Sequence, residues 1–422
     1  MNILFLDAYY EPETIAYTHL EKDLIEGLIA DGHKIHIICP TPTRGISDEV
    51  REQYKKIKSE SKYDGAVIVE RFWAPQEGKN PLIRAFRYFW CNLRTYQKAV
   101  KQRNIDVVFS NSTPPTQGAL SGLVANKLSK KANKKVPFIY NLQDIFPDSL
   151  ANAGMASRDG MLWKIGRKLE DFTYSHADKI ITISDDFKRN IREKGAPEEK
   201  TVVIPNWVNT DNVYPVEREK NVLFDRYNLD RSKFYICYSG NLGHSQNLEL
   251  LVRVAEDIQR TMPDVVFVLI GEGAAKSKLI EVVEEKELSN ILILPFQPYE
   301  DIAHVFSLGD VGLIISKPGI GGSSVPSKTW SIMAAEKPIL ASFDEGSELS
   351  KLINTVKCGV SIEAGNISKF IDAIRMFESN ADLHSYGLNG KHYLMNELDK
   401  DKCVGEYIVE IENIRSKDGK CS

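Results

Sequence analysis

The chain has 422 residues, more than a single hydrophobic core normally serves, so two or three domains are expected. Its 42% hydrophobic and 27% charged residues are those of an ordinary globular enzyme, and a formal net charge of −4 offers no overall positive field for nucleic acid. Six scattered cysteines, Cys39, Cys91, Cys237, Cys358, Cys403 and Cys421, form no C-x-x-C pair and fit a reducing compartment better than a disulfide framework.

The opening MNILFLDAYY has no basic leader or cleavage site, so Ile3 to Leu6 reads as a first strand. No window holds the 18 consecutive apolar residues of a membrane span; the expectation is a cytoplasmic protein, at most lying on the inner face of the cytoplasmic membrane. Thr18 to Ala30 has helical period, and Asp31-Gly32 stops it before the strand Lys34 to Cys39. Thr41 to Asp64 is polar and loop-like, and Ala66 to Arg71 is a third strand. A long helix over 82–103 follows, then Asp106 to Ser110 (strand), Thr116 to Leu128 (helix) and Pro137 to Asn141 (strand). Gly160 to His176 and Asp185 to Lys194 are helices around the strand Lys179 to Ser184, and Thr201 to Pro205 ends this half. Such alternation implies right-handed crossovers and a mostly parallel sheet.

Asn206 to Asn221 is polar, lacks helical period and reads as a linker. The alternation then restarts, with strands at Tyr235–Ser239, Val265–Ile270, Ile291–Leu294, Val311–Ile315 and Pro338–Ala341. The tail from Leu383 to about Ile414 is helical and interrupted at Asn389-Gly390-Lys391. The fold class is therefore α/β, with two doubly wound Rossmann-like units. Residues 1–206, with a terminal helix from about 385 to 422, make the first, and 207–384 the second.

Open α/β sheets bind ligands beyond the carboxyl ends of their strands, so the loops there are the places to look. Three stand out in the second half. Tyr238-Ser-Gly240-Asn241-Leu-Gly243-His-Ser-Gln246 is a strand, a glycine turn and a helix start, where small residues admit a ligand and free N–H groups attract phosphate. Gly271-Glu-Gly273-Ala-Ala-Lys276-Ser-Lys278 ends a strand in G-x-G; the third glycine of a dinucleotide fingerprint is replaced by Lys276, which argues against NAD and leaves Lys276 or Lys278 to neutralise a diphosphate. Gly319-Ile-Gly321-Gly322-Ser323-Ser324-Val-Pro-Ser327-Lys328 places an anion-binding nest before a helix that Ser327 could cap, with Lys328 in its first turn. The only D-x-D, Asp399-Lys400-Asp401, lies in the helical tail, so neither a metal nor another cofactor is expected.

These loops together resemble the nucleotide-sugar half of retaining GT-B glycosyltransferases of the family 4 group. The remainder agrees: Asp31-Gly32-His33-Lys34-Ile resembles that family's second strand, Ala177-Asp178-Lys-Ile-Ile-Thr-Ile-Ser184 its A-D-x-I-I-x-x-S segment, and Lys200-Thr-Val-Val-Ile-Pro205-Asn206 the end of its first domain. The resemblance implies two domains facing across a cleft, with the last helix crossing back to the first. The sequence departs from the family where a phosphate-holding Arg and Lys are replaced by Asn241 and Gln246. The paired glutamates are replaced by Ser323 and Ser331, and a glycine pair near the first loop by Ile15-Ala16. Lys328, with Lys276 or Lys278, is left as the cationic grip.

By the same resemblance, Asp144 in Gln143-Asp144-Ile-Phe-Pro147-Asp148 faces the reacting sugar, as base for the acceptor hydroxyl or partner of donor hydroxyls; Asp148 reads equally as a helix cap. Asn111 to Pro115 and the loop from Tyr9 to Thr18 line the same expected cleft. Leu82, Phe86, Phe89, Trp90, Leu93 and Val100 share one face of the long helix, and Arg84, Arg87, Arg94, Lys98 and Lys101 lie mostly opposite. That pattern fits either a buried stripe or a helix resting on an anionic membrane. The resulting expectation is transfer, with retention, of a hexose or N-acetylamino sugar from a nucleotide-diphosphate donor, UDP-linked, to a glycan or polyprenyl-diphosphate-linked acceptor in bacterial surface-polysaccharide (O-antigen or capsule) assembly. The alternatives are a nucleotide-sugar epimerase of the same fold and a non-catalytic nucleotide- or glycan-binding protein.

Overall fold

The computed structural model describes all residues except 14–16, 77–80, 153–156, 159, 323–324, 381 and 417–422, and omits the side chains of 81, 82, 415 and 416. Ile15, Ala16, Ser323, Cys421 and the Leu82 side chain therefore lie outside the described residues. The chain divides into two units, one built from Met1–Ala151, from 157 to Pro205 and from Asp401 onward, the other from Asn206 to Lys400 together with Asn152.

The first unit holds eight strands: β1 Asn2–Leu6, β2 Lys34–Pro40, β3 Ser59–Lys62, β4 Val67–Phe72, β5 Val107–Asn111, β6 Phe138–Leu142, β7 Lys179–Thr182 and β8 Thr201–Val203. Their order in the sheet is β3-β4-β2-β1-β5-β6-β7-β8. Every pair is parallel except β3–β4, with Ile3 opposite Ile35 and Val107 across β1. Helices on both faces explain the composition: β5 and β6 are apolar enough to be buried along their whole length. The stretch from Thr41 to Asp64, expected as loop, holds a helix at Asp48–Tyr54 and edge strand β3, whose polar SESK alternates inward and outward. Ser47 caps that helix through its hydroxyl, which accepts from the Val50 N–H.

In the second unit β9 Phe234–Ser239, β10 Val265–Ile270, β11 Ile291–Leu294, β12 Val311–Ile315, β13 Ile339–Phe343 and β14 Gly359–Glu363 follow the order β11-β10-β9-β12-β13-β14, all parallel. The uninterrupted VVFVLI of β10 is buried throughout, as a strand covered on both faces must be. Asn206 to Asn221 is not a free tether. Trp207 and Val213 are buried, and Asn221 caps the helix Val222–Arg226.

The tail also differs from expectation. The helix Leu383–Glu397 runs unbroken through Asn389-Gly390-Lys391 and stays with the second unit; the chain rejoins the first unit from Asp401, in the helix Lys400–Ser416. Gly387 and Gly390 are there for close approach rather than to break the helix. A methyl at Gly387 would lie 2.0 Å from the Glu336 carbonyl oxygen, and one at Gly390 3.0 Å from Met333.

Candidate functional site

In the second sheet the connections from β9 and β12 leave in opposite directions, β9 to β10 on one side and β12 to β13 on the other. Such a switch point opens a crevice at the carboxyl ends of the strands. The three glycine loops leave from β9, β10 and β12, and backbone hydrogen bonds tie them together. Gly240 N–H donates to the Ile270 carbonyl at 2.9 Å, Leu242 N–H to Glu272 at 2.8 Å, Ala275 N–H to Leu242 at 2.9 Å and Lys317 N–H to Ser245 at 2.8 Å. The glycines are steric requirements of this contact. A Cβ on Gly271 would sit 1.9 Å from the Gly240 carbonyl oxygen, and one on Gly273 2.3 Å from that of Leu242.

Lys328 closes the arrangement from the third loop. It begins the helix Lys328–Ala334, and its Nζ lies 3.6 Å from the centre of the Tyr238 ring. That ammonium also lies 3.1 Å from where a Cβ on Gly240 would stand. A cation over an aromatic face is held by the ring quadrupole, but a ring does not neutralise its charge. Among the described residues no carboxylate lies within ion-pair distance of it. Burial without an opposing charge brings the amine down to about 7 from its ordinary range. The arrangement is a partly desolvated cation at a strand-end crevice, with no anion paired to it among the described residues.

The other expected residues fall differently. Lys276 is engaged by Glu272 at 2.5 Å, one turn away, and Lys278 is exposed. Gln246 accepts from the Gly243 N–H at 3.0 Å, so it holds the turn, while Asn241 is exposed. The expected phosphate nest already has a carboxylate in it: Asp344, after β13, accepts from Gly319 N–H at 2.8 Å and Gly321 N–H at 2.7 Å. Those amides are therefore not free, and Gly322 has a partner as well. Ser327 is exposed and makes no side-chain cap, and Ser331 lies half-buried on the same helix. Asp344 was missed; the only available signal was an acidic residue at a strand end before Gly346.

In the first unit β1 and β5 form the corresponding switch point. Asp144 follows β6, and its loop is set by the Ser112 hydroxyl, which accepts from the N–H groups of Gln143 at 3.1 Å and Asp144 at 3.0 Å. Crowding by the surrounding chain raises the Asp144 carboxyl, opposed by hydrogen bonds from Ser149 and the Ile145 N–H; the side chain stays exposed at its outer end. Behind it, Asn141 donates to Asn111 at 2.8 Å and accepts from Gln143 at 3.1 Å and from the Tyr407 hydroxyl at 3.0 Å. Tyr407 comes from the terminal helix, a partner that local pattern could not supply. Asp148 opens a short helix instead of capping one, and Lys194 grips it at 2.7 Å, holding its carboxyl below the usual range against the opposing effect of burial.

A small pocket lies at the ends of β1 and β2, between Tyr9, Pro40, Arg87, Asn92, Thr95 and Gln117. Arg87 belongs to the long helix, Pro81–Ala99, and is only 2% exposed, bonded to the Pro75 carbonyl. The helix thus turns over the expected arrangement. Arg87, Thr95 and Ala99 face inward, while Ile83, Phe86 (53%), Phe89 (65%) and Leu93 face solvent. The helix Gln117–Ala132 touches both this helix and Met161–His176, and they expose Leu123, Met161 (80%), Leu162 and Ile165. No described helix is long and apolar enough to cross a membrane.

Two family models match the chain: Glycosyltransferase Family 4 over residues 22–212 and Glycosyl transferases group 1 over 219–392. The putative colanic acid biosynthesis glycosyl transferase WcaI of Escherichia coli K12 is 24% identical over 417 residues, 97% of this chain and 100% of its own. The probable glycosyltransferase WbjE of Pseudomonas aeruginosa is 27% identical over 76% of this chain and 78% of its own. Among solved structures, HepE of Anabaena in complex with UDP superposes with a TM-score of 0.70 at 14% identity, covering 98% of this chain and 100% of that one.

Proposed function

We propose that this chain, which belongs to glycosyltransferase family 4 and has the GT-B fold, moves a sugar from a UDP-linked donor to a glycan or polyprenyl-diphosphate-linked acceptor, with retention, in bacterial surface-polysaccharide assembly. The observation that carries the reading is Lys328, a half-buried lysine whose ammonium lies over the Tyr238 ring at the switch point of the second sheet, with no carboxylate within ion-pair distance among the described residues. A donor diphosphate is a dianion of the right kind for it. As the sugar–oxygen bond breaks, negative charge grows on the departing phosphate, and a fixed cation in a water-poor pocket stabilises that charge most. Gly240, Gly271 and Gly273 let the backbone come close enough for its amides to share the task. Asp144 serves on the acceptor side, as base or as partner of sugar hydroxyls. The UDP preference draws on HepE, and the polysaccharide context on WcaI.

The test is a panel of UDP-, GDP- and dTDP-sugars given to the purified protein with and without a polyprenyl-diphosphate-linked sugar. Transfer from a UDP-sugar to the acceptor is the expected result. Conversion of the donor with no acceptor present would point to an epimerase, and binding without turnover to a non-catalytic protein; either would overturn the proposal.

The outward aromatic face extends the reading to a membrane surface. Phe86 and Phe89 are exposed on the helix that carries Arg84, and Met161, Leu162 and Ile165 on the helix that carries Lys164 and Lys168, so each helix offers apolar side chains and cations suited to anionic headgroups. Flotation with vesicles of phosphatidylglycerol should recover the protein, and vesicles of phosphatidylcholine alone should recover much less. Replacing Phe86 and Phe89 by serine should weaken that partition by about tenfold or more, the cost of not burying two aromatic rings. Partition equal to the parent's would remove this face from the proposal.

A further inference from the structure

We propose that Asp31, His33 and Glu412, all in the first unit, bind one divalent transition cation of the zinc type, and that the ion staples the terminal helix to the turn after the first helix. Asp31 and His33 belong to the turn after the first helix, which Gly32 N–H to Ile29 (2.9 Å) and His33 N–H to Leu28 (3.0 Å) hold in place. Glu412 arrives from the helix Lys400–Ser416, almost the whole chain away in sequence. His33 is 5% exposed, and its Nε2 is buried without a hydrogen-bond partner. That nitrogen faces Asp31 Oδ2 at 3.1 Å and Glu412 Oε1 at 3.6 Å. Its other nitrogen, Nδ1, lies 3.0 Å from the Met1 amine; for Nε2 to ligate, the ring proton must sit on Nδ1 and be donated to that amine in its unprotonated form.

The spacing suits a metal. Bonds of about 2.0–2.1 Å in a tetrahedron put neighbouring ligand atoms about 3.4 Å apart, between the two observed separations. All three ligand atoms lie within 4.8 Å of one another. Two carboxylates neutralise a dication, and the side chains of Asp31 and Glu412 are 47% and 52% exposed, which gives an entry path and leaves room for a water in the fourth position. The thiols are poor competitors. Burial pushes Cys39, Cys237 and Cys358 up to about 12, and a metal needs the thiolate.

The test uses the full chain stripped with a chelator, with zinc and then cobalt as the only added ligands. Calorimetry should show one equivalent of zinc bound with micromolar affinity or better, and a hundredfold excess over Kd should raise Tm by about 5 °C. Cobalt should give visible d–d bands without thiolate charge-transfer absorption. Glu412→Gln, at an exposed position that cannot unfold the core, and Asp31→Asn should each abolish the Tm shift. His33→Ala should do the same if it folds. Three results would overturn the proposal: no saturable binding, binding and Tm shift unchanged in both carboxylate variants, or a thiolate spectrum. The first would leave His33 as an ordinary ion-pair partner of two carboxylates.

Discussion

Lys328→Ala is expected to lower kcat/KM for the nucleotide sugar by about 10²–10³-fold, the usual cost of removing one preorganised group that stabilises a developing charge. The fold should survive it. The ammonium lies over the Tyr238 ring and, among the described residues, has no carboxylate within ion-pair distance, so alanine breaks no ion pair and removes a partly desolvated charge. Tm should therefore hold or rise while turnover collapses, and that combination separates an anion-binding role from a structural one. A variant within threefold of the parent would remove Lys328 from the donor site.

The pH dependence follows from the same burial. With the amine at about 7 in the free protein, kcat/KM should fall as pH rises through that value, approaching tenfold per pH unit, because only the ammonium binds phosphate. The stability effect has the opposite sense. Folded Lys328 is neutral above about 7, whereas the unfolded lysine keeps its proton to its ordinary 10.5, so the unfolded chain binds more protons in that window. Stability should rise with pH across it, and Lys328→Ala should flatten both profiles.

Gly271→Ala should damage both fold and activity. The new methyl would stand 1.9 Å from the Gly240 carbonyl oxygen, backbone against backbone, where no rotamer change gives relief. The ends of β9 and β10 would have to part, breaking the 2.9 Å hydrogen bond from Gly240 N–H to Ile270 and shifting the seat of Lys328. A loss of about 3 kcal/mol is expected, seen as a fall in Tm of about 10 °C, with weakened donor binding. Gly405→Ala is the control. It lies in a helix with nothing near its added methyl, so it should be neutral or stabilising. Similar melting of the two variants would show that the close approach at Gly271 does not matter.

The loop positions were legible because strand ends and glycine turns are local features. The chemistry on those loops was only half legible. Gly240, Gly271, Gly273 and Lys328 do converge, but the nest at Gly319 and Gly321 is filled by Asp344, some two dozen residues on. Lys276 could have been discounted from sequence alone, since Glu272 stands one helical turn before it. Asp144 could be chosen, yet the Ser112 hydroxyl that sets its loop and the Tyr407 that backs it come from other elements.

What the chain determined by itself is its alternation of β-branched runs and helical periods, hence two doubly wound units, because those periods express the geometry of one strand or helix at a time. Tertiary structure alone decided which face of an amphipathic helix turns inward. In Pro81–Ala99 the periodicity separates aromatic from basic positions, but Arg87 could go inside because the Pro75 carbonyl was there to receive it, and Phe86 and Phe89 went outside. It also decided which charges are satisfied. A lysine is a bound cation or a waiting one according to what lies within about 4 Å, and that is set by neighbours from other parts of the chain. Lys328, with its ammonium over the Tyr238 ring and beside the space that a side chain on Gly240 would fill, is the waiting one.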